Sequence, residues 1–184
     1  AKELNLSIVF LRPLGLDLLR KEYRGTLAWK REITLLRQMA GSGLCPELLD
    51  APLREAEMTE CPGVPLGECI RTASRQEARE MMAALAAWTD AFEREYHRRT
   101  GQTAVLEDLS PGNFLWDAAS RKITGLDFEF WHTGSPAENR GGLLCMAERL
   151  KAAEITGEEL TGELYRQFRG GSDRAELEHR AARA

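Results

Sequence analysis

Three side chains in one stretch offer oxygen atoms at a spacing suited to cation chemistry. They are Asp108, Asn113 and Asp127, within Val105-Leu-Glu-Asp-Leu-Ser-Pro-Gly-Asn-Phe-Leu-Trp-Asp-Ala-Ala-Ser-Arg-Lys-Ile-Thr-Gly-Leu-Asp-Phe-Glu-Phe-Trp131. Asp108 and Asn113 close a Pro-Gly turn. Phe114 to Trp116 is an apolar strand, Asp117 to Arg121 a turn, and Lys122 to Leu126 the return strand. Asp127 follows directly. The spacing predicts three short polar side chains near the strand ends on one side of a hairpin. Such a set suits a hard cation such as magnesium, which takes few carboxylates and fills its other positions with waters or phosphate oxygens. The bland alternative is a surface hairpin with polar turns.

The elements that must position this stretch are legible from periodicity. Asn5 to Pro13 reads as a strand ended by proline, and Leu16 to Tyr23 as a second. Leu27 to Ala40 is a helix, with Trp29, Ile33, Leu36 and Met39 on one stripe and Gly41 after it. Short strands are predicted at Leu48-Leu49 and over Glu57 to Cys61. Ser74-Arg-Gln-Glu77 is a capping-box pattern opening a long helix to about His97. Its apolar face carries Ala78, Met81, Leu85, Trp88, Phe92 and Tyr96. His132 to Pro136 reads as a short loop, and Leu143 to Ile155 as a helix. Thr156-Gly-Glu-Glu159 is a further capping-box pattern before a helix carrying Leu160, Leu164, Tyr165 and Phe168. A last, mostly charged helix opens at Asp173.

Composition narrows the classes. The chain has 184 residues, enough for one domain or two small lobes sharing a core. Apolar residues make up 43%, which argues against disorder. The net charge of −4 gives no basic footprint for nucleic acid. No apolar run is long enough for a membrane span, and no signal peptide is expected. The four cysteines are scattered without a Cys-x-x-Cys pair, so reduced thiols in a cytoplasmic protein are expected rather than a zinc site or disulfide framework.

Asp108-x-x-x-x-Asn113, a hairpin, then Asp127-Phe128-Glu129 resembles the catalytic and metal-binding loops of the protein-kinase-like fold. The wording is most similar to bacterial small-molecule phosphotransferases of the aminoglycoside phosphotransferase and choline kinase group, with lipopolysaccharide-core sugar kinases nearby. The resemblance covers Leu18 to Leu150. It implies an α+β, minimal bilobal fold: an N-terminal lobe of a small sheet and one helix over residues 1–61, a linker at 62–66, and a mainly helical C-terminal lobe over 67–184. It implies a reaction too, transfer of the γ-phosphoryl group of ATP to a hydroxyl of a small molecule or sugar, with magnesium. Asp108 would orient the acceptor hydroxyl and accept its proton. Asn113 and Asp127 would hold the metal. Lys21 matches the strand lysine that meets the phosphates, with Lys30 as competitor, and Glu32 matches the helix glutamate that holds it extended. Glu60 and Cys61 would face the adenine, with Thr59 flanking it. Glu129 is a lesser candidate, for the metal's surroundings or for a basic acceptor.

Four departures qualify the resemblance. A Gly-rich phosphate loop is missing, since Gly15 is the sole glycine before Gly25. Pro62 falls on or beside the position that usually donates a backbone N–H to adenine, and proline has none. Either the register slips to Cys61 or Gly63, or that bond is absent. Leu106-Glu107-Asp108 stands where the family has His-Arg-Asp or His-Gly-Asp; Leu106 replaces the bracing histidine by packing, and Glu107 either raises the proton affinity of its neighbour or turns to solvent. Glu129 stands where protein kinases carry glycine. Two rivals stay open: a compact protein kinase, and a pseudokinase that binds nucleotide or a partner without turnover.

Overall fold

The computed structural model describes residues 12–13, 17–153 and 155–168. Most of the first predicted strand and the charged helix from Asp173 lie outside them.

Among these residues, β1 (Arg12–Pro13), β2 (Leu18–Glu22), β3 (Leu48–Asp50) and β4 (Glu55–Thr59) form an antiparallel sheet in the order β1-β2-β4-β3. β4 begins and ends two residues earlier than the pattern Glu57 to Cys61 suggested, so Glu60 and Cys61 leave the sheet. Strand alternation sets the faces of β2. Arg20 points outward and meets Glu57, its directly opposed residue, at 2.5 Å. Lys21 points inward opposite Ala56, whose small, fully buried side chain leaves room for the lysine stem.

Helix α1 (Thr26–Gln38) packs against this sheet through Ile33, Leu35, Leu36 and the following Met39. Glu32 lies inside that apolar stripe. The helix is fastened along its length. The Trp29 indole donates to the Glu55 carbonyl at 2.9 Å, and the Trp131 indole donates to the Arg31 carbonyl at 3.0 Å. At its end the Arg99 guanidinium donates to the carbonyls of Gln38 and Ala40 at 2.8 and 2.7 Å.

The chain then crosses through Gly63 into β5 (Val64–Pro65) and the short α2 (Leu66–Thr72). Gly63 has φ +121°, and a Cβ there would lie 2.8 Å from the Trp116 carbonyl oxygen, so only glycine fits this crossing. Helix α3 (Arg75–Thr100) carries the predicted capping box: Ser74 Oγ accepts from the Glu77 N–H and Glu77 accepts from the Ser74 N–H. Every residue of its predicted stripe is buried.

The central hairpin packs on α3. It comprises β7 (Phe114–Asp117) and β8 (Lys122–Gly125), after β6 (Ala104–Leu106) and a 3-10 turn at Pro111–Asn113. Trp88 meets Phe114 edge-on at 5.1 Å and stacks on Phe92 at 5.0 Å; Phe92 stacks in turn on Phe128 at 5.7 Å. A Cβ on Gly125 would sit 2.4 Å from the Trp88 ring. The aromatic column on α3 thereby anchors the neighbours of Asn113 and Asp127.

Further boundaries differ from the sequence pattern. Residues expected as loop form β9 (Trp131–Thr133), antiparallel to β6. Helix α4 (Pro136–Ala152) starts seven residues before Leu143, because Ser135 and Glu138 form a capping box with Pro136 in the first turn. Gly142 is there for close approach: a Cβ would fall 2.6 Å from Leu109 Cδ1. Conversely, the box at Thr156 does not form. Helix α5 (Glu159–Gln167) begins at Glu159, which is too late for it to serve as the third helical residue; its carboxylate accepts from the Gly157 N–H at 3.0 Å instead. Among the described residues, no helix is long and apolar enough to cross a membrane.

Candidate active site

Lys21 is the centre of a buried charge cluster. Its Nζ lies 2.5 Å from Glu32 Oε2, 2.8 Å from Asp127 Oδ1 and 3.0 Å from Glu129 Oε1. It also stands 4.9 Å from the centroid of the Tyr23 ring. Lys21, Glu32 and Glu129 are 4%, 2% and 1% exposed, whereas Asp127 opens toward solvent. Burial disfavours the Lys21 ammonium, but the Glu32, Asp127 and Glu129 carboxylates overcome it and hold its pKa above the usual lysine range. Burial raises the Glu32 carboxyl, with Lys21 pulling the other way. One ammonium faces three carboxylates, so the cluster carries surplus negative charge where it meets solvent.

The backbone fixes Asp127 in place. It adopts φ +58°, a left-handed conformation that aspartate tolerates better than most residues. On one side the Leu126 N–H donates to the Asn113 carbonyl at 2.8 Å. On the other the Phe128 N–H donates to Glu32 Oε1 at 3.1 Å. Glu32 therefore serves Lys21 with one oxygen and the Asp127 segment with the other. Asn113 commits its Nδ2 to the Asp108 carbonyl at 3.2 Å, which leaves Oδ1 as its atom for a cation.

Two cavities flank the segment from Asp108 to Asn113. One, of about 400 Å³, is bounded by Lys21, Glu60, Cys61, Asn113 and Asp127, with Leu19, Met58 and Leu115 as apolar walls. Cys61 and Gly63 line it, and Pro62 does not. Burial raises the Cys61 thiol. The other cavity, of about 550 Å³, is bounded by Asp108, Ser110, His132, Glu138, Cys145 and Arg149. Lys30 lies on the exposed face of α1, away from both.

Glu107 lines the larger cavity together with Asp108 and is paired there with His132. His132 Nδ1 meets Glu107 Oε1 at 2.9 Å, and its Nε2 meets Glu138 Oε2 at 3.1 Å. Burial works against the imidazolium, but these two carboxylates raise the His132 pKa. Leu106 is buried, as packing in place of a histidine requires. The partnership of Glu129 with Lys21 escaped sequence reading, because only tertiary pairing of β2 with the turn after β8 brings the two together. Glu32 did leave a signal: a carboxylate three residues after Trp29 and four before Leu36 sits inside an apolar stripe and needs a buried partner.

The sequence matches no family profile and no curated protein. Solved structures do match it. The aminoglycoside phosphotransferase APH(2″)-IIa in its ternary complex with streptomycin and ATP aligns over 96% of this chain and 84% of its own, with 14% identity and a TM-score of 0.65. The gentamicin complex of APH(2″)-IIa aligns over 90% and 74%, at 13% identity and a TM-score of 0.67. The PK-1 kinase of Cydia pomonella granulovirus aligns over 80% and 67%, at 9% identity and a TM-score of 0.59. With a small antiparallel sheet and one helix followed by a mainly helical remainder, the chain has the compact α+β fold of the protein-kinase-like phosphotransferases.

Proposed function

We propose that this chain is an ATP- and magnesium-dependent phosphotransferase acting on a hydroxyl of a small molecule or sugar. One observation carries the reading: the segment from Asp108 to Asn113 separates two cavities, with Asp108 lining one and Asn113 the other. A donor site and an acceptor site on either side of one short turn is the arrangement that transfer between two bound molecules requires.

The apolar-walled cavity suits a nucleotide base, with Glu60 and Cys61 at its edge and Lys21 at the phosphate end. Its backbone contact falls to Cys61 or Gly63, since Pro62 has no N–H. Asn113 Oδ1 and the Asp127 carboxylate are hard oxygen donors beside surplus negative charge, which fits magnesium. When bound, the ion neutralises charge on the phosphates. Lys21, held extended by Glu32, steadies those phosphates. Asp108, exposed in the second cavity, orients the acceptor hydroxyl and takes its proton. The chain divides in this reading into a lobe over residues 1–61, a linker over 62–66 and a lobe over 67–184, with Gly63 and Pro65 of the linker lining the apolar-walled cavity. Only Gly134 and Ser135 separate β9 from α4, which leaves no segment to seat a peptide and favours a small acceptor over a protein. The four free cysteines suit a reducing, cytoplasmic setting.

A second reading, nucleotide binding without turnover, draws on the contact between Lys21 and Asp127. It occupies the two groups that would otherwise meet phosphate and metal. A thermal-shift screen with ATP, GTP and magnesium, followed by a panel of aminated and neutral polyols, separates the readings. Magnesium-dependent stabilisation with phosphate transfer supports the enzyme. Stabilisation with no transfer to any acceptor supports the second reading.

A further inference from the structure

The cavity that holds Asp108 runs along one stripe of α4. Glu138, Gly141, Gly142, Cys145, Met146 and Arg149 line it, at steps of three and one that keep them on one face. Leu109 packs at the level of Gly142, so Asp108 and Ser110 sit over the middle of the stripe. The charged side chains of this lining divide by what they already hold. His132 faces Glu107 through Nδ1 and Glu138 through Nε2, at 2.9 and 3.1 Å. Only the imidazolium, with two N–H donors, satisfies both carboxylates. Glu138 also accepts from the Ser135 N–H of its capping box at 3.2 Å. The acidic end of the cavity is therefore neutralised from within, and an ammonium group arriving there would have to displace His132.

Arg149 stands at the other end and is uncommitted. Of the other basic side chains of α4, Lys151 meets Glu158 at 3.2 Å and Arg140 stands over the Phe168 ring at 5.8 Å. Arg149 is exposed, lines the cavity and has no acidic partner among the described residues. It lies two turns, or about 10 Å of helix, beyond Gly142. Long helical side chains lean toward the N-terminus of their helix, which brings the guanidinium back toward Asp108. The span left between the two is that of a small polyol, well within a cavity of about 550 Å³. A guanidinium offers paired N–H donors in the fork that carboxylate and phosphate oxygens fit. We propose that Arg149 forms an anion subsite of this cavity, and that the acceptor is a hydroxyl compound carrying a carboxylate or phosphate group away from the reacting hydroxyl. The choice of acceptor rests on the phosphotransferase reading; the anion subsite itself does not. A base in the last turn also suits the dipole of its helix, and that role alone would act on stability and not on ligand choice.

Matched acceptors test this in the full chain: gluconate against sorbitol, glycerol phosphate against glycerol, and glucosamine against glucose. With magnesium-ATP, kcat/KM for an acid should exceed that of its neutral partner by about tenfold or more, the scale of a hydrogen bond to a charged group. Which acid gains more tells a carboxylate from a phosphate acceptor. Arg149→Met should erase the advantage, mainly by raising KM for the acid. Arg149→Lys should fall between the two, because it keeps the charge and loses the fork. Binding is read separately, without nucleotide, from the Arg149 side-chain Nε–H resonance. It should move on adding gluconate or glycerol phosphate and stay in place with sorbitol. Equal kcat/KM within the acid pairs would overturn the acceptor class, as would a gain confined to glucosamine. An Arg149 resonance that neither acid moves would overturn the subsite. So would an Arg149→Met that lowers the unfolding midpoint while the acid advantage survives, since Arg149 would then serve its helix alone. If no acceptor is phosphorylated while magnesium-ATP still stabilises the chain, the phosphotransferase reading falls instead, and the resonance decides the subsite by itself.

Discussion

Lys21 Nζ stands 2.8 Å from Asp127 Oδ1, a contact that spans 106 positions of sequence and joins β2 to the turn after β8. It ties the sheet to the hairpin through the two groups that the proposed function assigns to phosphate and magnesium.

Asp127→Ala tests that junction. The variant removes the carboxylate, so it should lose the magnesium-dependent part of ATP-induced stabilisation; alanine also suits the left-handed backbone less well than aspartate, which lowers the melting point with and without ligand alike. In the parent the whole stabilisation by magnesium-ATP is about 3 kcal/mol at a hundredfold excess over Kd, and the magnesium-dependent part is its difference from the value with ATP alone. The check is melting with ATP, with and without magnesium. Equal magnesium effects in parent and variant would remove Asp127 from the metal site.

Lys21 and Glu32 should be energetically coupled. Lys21→Met leaves Glu32, Asp127 and Glu129 facing one another, and breaking such a buried pair costs about 3–5 kcal/mol. Glu32→Gln should cost less, because Asp127 and Glu129 still hold the ammonium. The double variant should cost less than the sum of the singles by about 1 kcal/mol or more. Urea unfolding of all four proteins measures this, and strict additivity would contradict the contact.

What was legible in the sequence was what local chemistry enforces. The capping box at Ser74 and the α3 stripe are written in consecutive residues, and so is the hairpin from Phe114 to Gly125. So, in part, was the site: Asp108, Asn113 and Asp127 fall within twenty residues of one another. The remainder depends on contacts between distant segments. Nothing local tells that Trp131 to Thr133 pairs with Ala104 to Leu106, that Glu129 closes on Lys21, or that Asn139 bonds the Leu106 N–H and the Ala104 carbonyl at the edge of β6. The early start of α4 is set by the Ser135 capping box and Pro136, and Gly142 within the helix packs closely against Leu109.

Asp108→Asn should separate binding from transfer. The side chain keeps its size and loses its basicity, and it stands in the cavity away from Lys21. Magnesium-ATP should bind as in the parent while turnover drops about a hundredfold. Isothermal titration beside a coupled assay reads both. A loss of ATP affinity matching the loss of turnover would place Asp108 on the nucleotide.

Glu93 should give stability a pH dependence opposite to that of a salt-bridged carboxylate. Burial pushes its carboxyl up to about 7; the Asn139 hydrogen bond and Arg140 pull it down, and Asp90 adds to the rise. The folded chain thus holds a proton that the unfolded chain has released above its ordinary value near 4.5. Stability from this source is full below that value and is lost as pH rises toward about 7. Glu93→Gln should flatten the decline. Urea midpoints from about pH 5 to about pH 8 for both proteins supply the comparison, and parallel curves would exclude Glu93 as its source.

The fastening of α1 has a consequence for control. Trp29 of the helix bonds the Glu55 carbonyl of β4, while Trp131 and Arg99 hold carbonyls of the helix and its end at Arg31, Gln38 and Ala40, so the helix that carries Glu32 is bolted to three separate parts of the chain. For Glu32 to withdraw from Lys21 by a swing of the whole helix, those bonds would have to break together. Such a swing costs several hydrogen bonds at once. The lysine–glutamate contact is thereby braced from three sides, as a strut is, against a swing of the helix that carries it.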